Sequence, residues 1–134
     1  MYYIVGVLIT GGSQDIFPST AELYVPSTGE SCTLPKLPDH REEHTVSEGG
    51  LICGGDWSPF SCLLWSPDTG TWEEAIARLD DLRYEHVSWT PISGNGTYLI
   101  GGASWGTWSG TWGTTLVTSD GSQEPGFTLK HETM

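Results

Sequence analysis

Three short apolar runs in this chain each end in a glycine pair: Val7-Leu8-Ile9-Thr10 before Gly11-Gly12, Leu51-Ile52-Cys53 before Gly54-Gly55, and Tyr98-Leu99-Ile100 before Gly101-Gly102. Gly11 and Gly54 lie 43 positions apart, and Gly54 and Gly101 lie 47 apart. Self-similarity at that period is the sequence mark of solenoids, propellers and arrays, in which each unit buries an apolar face against its neighbour. The glycine pairs therefore predict a repeat fold.

The residues after each pair repeat as well. A second apolar run comes after a polar stretch: Ala21-Glu22-Leu23-Tyr24, Cys62-Leu63-Leu64-Trp65 and Thr115-Leu116-Val117. A turn signal comes next, as Pro26-Ser27-Thr28-Gly29, Pro67-Asp68-Thr69-Gly70 and Ser119-Asp120-Gly121. A third run carries Trp72 in the second unit and Phe127-Thr128-Leu129 in the last. Two units then close alike, with Arg41-Glu42-Glu43-His44 and Arg83-Tyr84-Glu85-His86, before a further run leads into the next glycine pair. Four short strands joined by turns make one propeller blade. The predicted fold is all-β: a partial β-propeller of about three four-stranded antiparallel blades in an incomplete ring. Blade 1, itself incomplete, spans 1–38, blade 2 spans 39–81, and blade 3 with the start of the next spans 82–134.

These residues resemble the kelch repeat, in which a strand ends in Gly-Gly, a Tyr lies downstream, and a Trp comes after a turn. The second unit matches best, with Gly54-Gly55, Trp65 at the aromatic position and Trp72 two residues after Gly70. In the first unit Tyr24 fits, but Ser31 takes the Trp position; in the third, Val117 replaces the aromatic and no Trp comes after the turn. The segment Ser31-Cys32-Thr33-Leu34-Pro35 resembles one in secreted kelch-like proteins of invertebrates. The resemblance implies that Trp72 packs between adjacent blades. It also brings in galactose-oxidase-like copper enzymes, whose chemistry needs a tyrosine radical ligand, a thioether-linked cysteine and two histidines. Nothing around Tyr24, Tyr84 or Tyr98 marks such a site.

Five Lys and Arg against seventeen Asp and Glu give a net charge of -12. Such a surface repels phosphate backbones and anionic headgroups, which disfavours nucleic acid and membrane surfaces as partners. No run approaches the roughly 18 apolar residues of a membrane helix. Cys53 ends a second strand and Cys62 begins a third, so a hairpin brings them opposite each other as a disulfide candidate; the alternative is two buried thiols. The disulfide favours an extracellular parent, the thiols a cytoplasmic one. Asn95-Gly96-Thr97 reads as a hairpin turn and also as a glycosylation sequon.

One stretch competes with the repeat. Trp72 to Leu82 has an amphipathic helical pattern, with Ile76, Leu79 and Leu82 on one face. Its counterpart in the first unit, Ser31 to Asp39, contains Pro35 and Pro38, which exclude a helix interior. Equivalent positions should share a conformation, so a strand followed by an extended loop is predicted.

The most unusual loop content is Trp57, Trp105, Trp108 and Trp112, the last three set among glycines. Exposed indoles offer flat apolar area and one donor each, suited to anchoring a protein partner or stacking on a sugar ring. Arg41 with His44 and Arg83 with His86 recur, so the fold accounts for them before function does. A buried Arg beside Glu43 or Glu85 would pin one blade to the next. No catalytic constellation, cofactor motif or metal-binding set is evident. The functional expectation is a non-catalytic scaffold binding a protein partner through loops on one propeller face. The alternatives are a carbohydrate-binding propeller using the same indoles, or part of a galactose-oxidase-like enzyme. Three blades are fewer than a closed ring needs, so the chain reads as a fragment of a longer propeller, with self-association through its open blade edges.

Overall fold

The computed structural model describes residues 6–11, 19–56, 60–76, 78–79, 83–92, 96–102, 114–118 and 123–125. Among them every regular element is a strand, and no helix is long and apolar enough to cross a membrane. The first sheet contains β1 (Val7–Thr10), β2 (Ala21–Val25) and β3 (Glu30–Leu34), in that order. The second contains β4 (Thr45–Ser47), β5 (Leu51–Cys53), β6 (Cys62–Ser66) and β7 (Thr71–Ile76), and the third β8 (Val87–Trp89), β9 (Gly96–Ile100), β10 (Thr114–Thr118) and β11 (Gln123–Pro125). Each sheet is an antiparallel meander of sequential strands, and none closes on itself. The architecture is all-β and propeller-like, an open series of three sheets.

Local chemistry explains the meanders. The β2–β3 and β6–β7 connections close the same way, with Gly29 N donating to Val25 O at 2.9 Å and Gly70 N to Ser66 O at 2.8 Å. Both glycines have left-handed backbone, φ 71° and 66°, a conformation that costs a side-chain-bearing residue energy and glycine little. The stretch with the helical pattern begins instead as β7, which runs as far as Ile76. Its pairing with β6, Trp65 opposite Trp72 and Leu64 opposite Glu73, overrides local propensity.

Register assigns the faces, because neighbouring residues on a strand point to opposite sides. In the second sheet Ile52 and Leu63 lie opposite each other on one face, and Cys53 and Cys62 on the other. Ile52, Leu63 and Leu37 form one buried cluster, with Trp72 packed against it. Cys53, Cys62 and Ile76 join Leu79 and, from the third sheet, Leu99 and Val117 in a second cluster. The core is thus two layers, one on each face of the middle sheet. Leu37 and Leu79 hold the same repeat position in the segments between sheets. Leu37 N donates to Ser19 O at 2.7 Å, and Leu79 N donates to Phe60 O.

Cys53 and Cys62 are directly opposite on β5 and β6 and are joined as a disulfide, while Cys32 on β3 is a free, exposed thiol. Closing so short a loop stabilises by about 2–3 kcal/mol in the chain-entropy account. Reductant should therefore lower the denaturant midpoint, and oxidised, denatured protein should label at one thiol, Cys32. An unchanged midpoint on reduction would show that the bridge contributes nothing beyond packing.

The rims of adjacent sheets are tied through side chains. Trp72 Nε1 donates to Pro35 O at 2.8 Å, reaching the segment that leaves the first sheet, and its ring lies 5.1 Å from that of Trp65 at a 60° tilt. In the third sheet Gln123, opposite Val117, occupies the repeat position of Trp72, and its Nε2 donates to Arg78 O at 2.6 Å. An amide here does the hydrogen bonding of an indole.

Candidate functional site

The two Arg-x-Glu-His segments precede β4 and β8, and their arginines are completely buried. Arg41 is held by the Asp39 carboxylate, Nε to Oδ1 at 2.8 Å and Nη2 to Oδ2 at 3.0 Å. Its Nη1 donates to Gly54 O at 2.9 Å and Ser61 O at 2.8 Å, and its Nη2 to Ser61 Oγ at 2.5 Å. The guanidinium thus ties the β5–β6 connection to its own sheet. Arg83 repeats the design, Nη1 donating to Gly101 O and Nη2 to Thr115 Oγ1, both at 2.8 Å. Sequence alone points to Glu43 as the partner and to a link between blades. The carboxylate on Arg41 is instead that of Asp39, while Glu43, equally near in sequence, takes left-handed backbone.

The link between sheets runs through the backbone. Gly55 N donates to Arg83 O and Glu85 N to Glu43 O, both at 2.9 Å. The glycines permit this approach: a Cβ on Gly54 would stand 2.2 Å from Arg83 O, and one on Gly11 2.2 Å from Arg41 O. Glu43 and Glu85 sit in left-handed backbone, φ 57° and 53°, an uncommon place for a non-glycine residue.

The histidines complete the junctions. His44 Nε2 and Thr10 Oγ1 share a hydrogen bond of 2.7 Å. Cys53 occupies the Thr10 position in the second sheet, where its sulfur is bonded to Cys62. His86 Nε2 meets Thr45 Oγ1 at 2.9 Å instead, on the strand directly opposite Cys53. Burial first and the neighbouring arginine second depress both imidazoles, pushing His86 down to about 4.

That shift has a stability consequence with a definite sign. Between about pH 6.5 and pH 4 the unfolded chain binds more protons at this site than the folded one, so stability is full above that window and falls as pH drops through it. The limiting loss is about 3 kcal/mol for His86. Glu43 works in the opposite sense, its carboxyl raised by lost hydration and by repulsion from Glu85, Asp56 and Glu42. Urea midpoints at about pH 7.5 and about pH 4.5 should differ, and His86→Gln should narrow the difference. An equal pH slope in the variant would rule His86 out as its source.

Those four carboxylates gather at the end of the sheets where the loop after β5 departs. Asp56 N donates to Glu42 O at 2.8 Å, so the start of the loop leading to Trp57 lies against the Arg-x-Glu-His segment. Trp57, Trp105, Trp108, Trp112 and Gly12 lie outside the described residues. Tyr24 is exposed on the first sheet opposite Ser31, and Trp65 is half-buried. Among the described residues no group of three or more His, Cys, Asp or Glu side chains is placed to hold a metal ion. His44 and His86 are each engaged with a threonine in separate junctions. Sequence reasoning misses Asp39, Ser61, Thr10, Thr45 and Gln123. One signal is present, since Asp39-x-Arg41 and Asp81-x-Arg83 share a spacing. No family model matches this chain, and no curated protein matches it either.

Proposed function

We propose that the protein is a kelch-type, non-catalytic scaffold that binds a protein partner through the loops at one end of its sheets. The observation that carries this reading is the gathering of Glu42, Glu43, Asp56 and Glu85 where the Trp57 loop departs. Carboxylates at the base of a loop whose sequence carries a tryptophan suit a basic segment bearing an apolar anchor, since charge guides encounter and a buried aromatic supplies affinity. The buried arginines and histidines bond within the junctions, which supports a non-catalytic reading.

The test pans a random peptide library on the immobilised chain and, in parallel, tracks tryptophan fluorescence against a panel of soluble glycans. Selected peptides should be basic, should weaken at high salt, and should lose at least tenfold in affinity with Trp57→Ala or with the Glu43→Gln, Glu85→Gln double variant. A saturable fluorescence response to a glycan would replace this reading with the carbohydrate-binding one. Peptides indifferent to all three substitutions would overturn the placement of the site.

A further inference from the structure

The two internal junctions share one design and differ at one chemical point. In both, a histidine ring packs against the first glycine of a pair. A Cβ on Gly11 would stand 2.2 Å from Arg41 O and 2.7 Å from His44 Cε1; on Gly54 it would stand 2.2 Å from Arg83 O and 2.8 Å from His86 Cε1. The His86 ring is thus set beside Cys53 as the His44 ring is set beside Thr10, each being the residue before that glycine.

The difference lies in what that residue offers. Thr10 Oγ1 shares a 2.7 Å hydrogen bond with His44 Nε2. A hydroxyl can donate or accept, and so can a thiol, but a sulfur bonded to a second sulfur has no hydrogen to give. Cys53 is bridged to Cys62, and His86 Nε2 meets Thr45 Oγ1 instead, at 2.9 Å. Thr45 on β4 is directly opposite Cys53 on β5, so the two partners open to His86 lie side by side.

The meander forms without a bridge elsewhere in the chain. The equivalent pairs are Thr10 with Ala21 in the first sheet and Ile100 with Thr114 in the third. Both sheets keep the same sequential strand order. In the second sheet the sulfurs are sealed among Ile76, Leu79, Leu99 and Val117, with Cys53 1% exposed and Cys62 0%. A reductant reaches them only when the third sheet lifts from the second.

We propose that the Cys53–Cys62 bridge is a redox switch that selects the partner of His86: Thr45 while the bridge stands, Cys53 once it is reduced. The reductant is a dithiol. One of its thiolates attacks a bridge sulfur, its second sulfur resolves the mixed disulfide, and it leaves as a cyclic disulfide. Two electrons and two protons stay behind, and Cys53 and Cys62 become thiols. The Cys53 S–H then stands where the Thr10 hydroxyl stands and takes Nε2, so the second junction acquires the chemistry of the first. The third sheet moves its anchor from β4, at the edge of the second sheet, to β5 within it. The switch is independent of what the loops bind.

The test uses the full 134-residue chain, unfolded in denaturant at neutral pH with or without dithiothreitol and read by far-UV circular dichroism. Reduced protein should refold, with a lower midpoint. In oxidised protein Thr45→Val leaves Nε2 of a buried ring without its partner and should lower the folded-to-unfolded ratio about tenfold. In reduced protein it should lower the ratio less than about threefold, because Cys53 serves instead. Two variants kept in dithiothreitol separate the Cys53 thiol from mere slack. In Cys62→Ala, which retains that thiol, Thr45→Val should again cost less than about threefold; in Cys53→Ala the loss of about tenfold should return. Cys53→Thr with Cys62→Ala copies the Thr10–Ala21 pair and should fold with or without dithiothreitol, tolerating Thr45→Val in both. Equal penalties in oxidised and reduced protein would show that His86 keeps Thr45 throughout. A loss that fails to return in Cys53→Ala would assign the relief to a loosened junction. Either result, or a reduced chain that does not refold, overturns the switch.

Discussion

Arg41→Ala should cost about 3–5 kcal/mol of stability, the range for removing one partner of a buried ion pair. The side chain is fully buried and serves the Asp39 carboxylate, two main-chain carbonyls and the Ser61 hydroxyl. Its loss orphans the buried Gly54 carbonyl and strips donors from the part-buried Asp39 carboxylate and Ser61, and an orphaned buried group costs more than its bond contributed. Arg41→Lys keeps the charge but has no planar fork, so it should recover less than half the loss. Denaturant unfolding at neutral pH reads both. A loss under about 1 kcal/mol for the alanine variant would mean that water enters and replaces the guanidinium.

Gly54→Ala should cost about 2–5 kcal/mol, combining left-handed backbone with overpacking. The new methyl would stand 2.2 Å from Arg83 O and 2.8 Å from His86 Cε1, so backbone must move and a junction must open. Gly29→Ala is the matched control: its φ of 71° is similar, but a Cβ there meets nothing within 4 Å. It should show the backbone part alone, about 1–2 kcal/mol. Equal losses at the two sites would show that the junction yields without resistance.

The strands, their order and the turn glycines are legible in the sequence because each is a local pattern. Period-two apolar runs, Pro-x-Thr-Gly turns and recurring Gly-Gly pairs need no knowledge of distant contacts. Even the helical pattern after Trp72 is resolved by comparison with Pro35 and Pro38 in the preceding unit. The hidden part depends on register between strands far apart in the chain. Gln123 does not look like Trp72, and only pairing with Val117 shows that they share a position. Glu43 stands as near to Arg41 in sequence as Asp39 does, yet Asp39 carries the ion pair, while Glu43 takes the left-handed turn. The acceptors of Arg41 on Gly54 and Ser61 are main-chain atoms, which no residue type announces. Thr45 becomes the partner of His86 because the position Thr10 fills in the first sheet is occupied by a bonded sulfur in the second. The loop indoles are conspicuous by composition, but composition fixes neither their direction nor their neighbours.

Each pair of neighbouring sheets is joined at two separated places. Near the glycine pairs the links are His44 with Thr10, His86 with Thr45, and the Gly55 and Glu85 amides. At the far strands they are the Trp72 indole and the Gln123 amide. A single attachment would let one sheet swing against the next like a page on a spine; two attachments with a packed layer between them do not. The distance between the points where neighbouring sheets' loops depart is then set by the framework rather than by the ligand. Anything spanning two such loops meets bases held at a fixed width, so none of its binding energy goes into setting their separation. Selectivity between candidate ligands would come as much from the spacing of their anchors as from the anchors' chemistry.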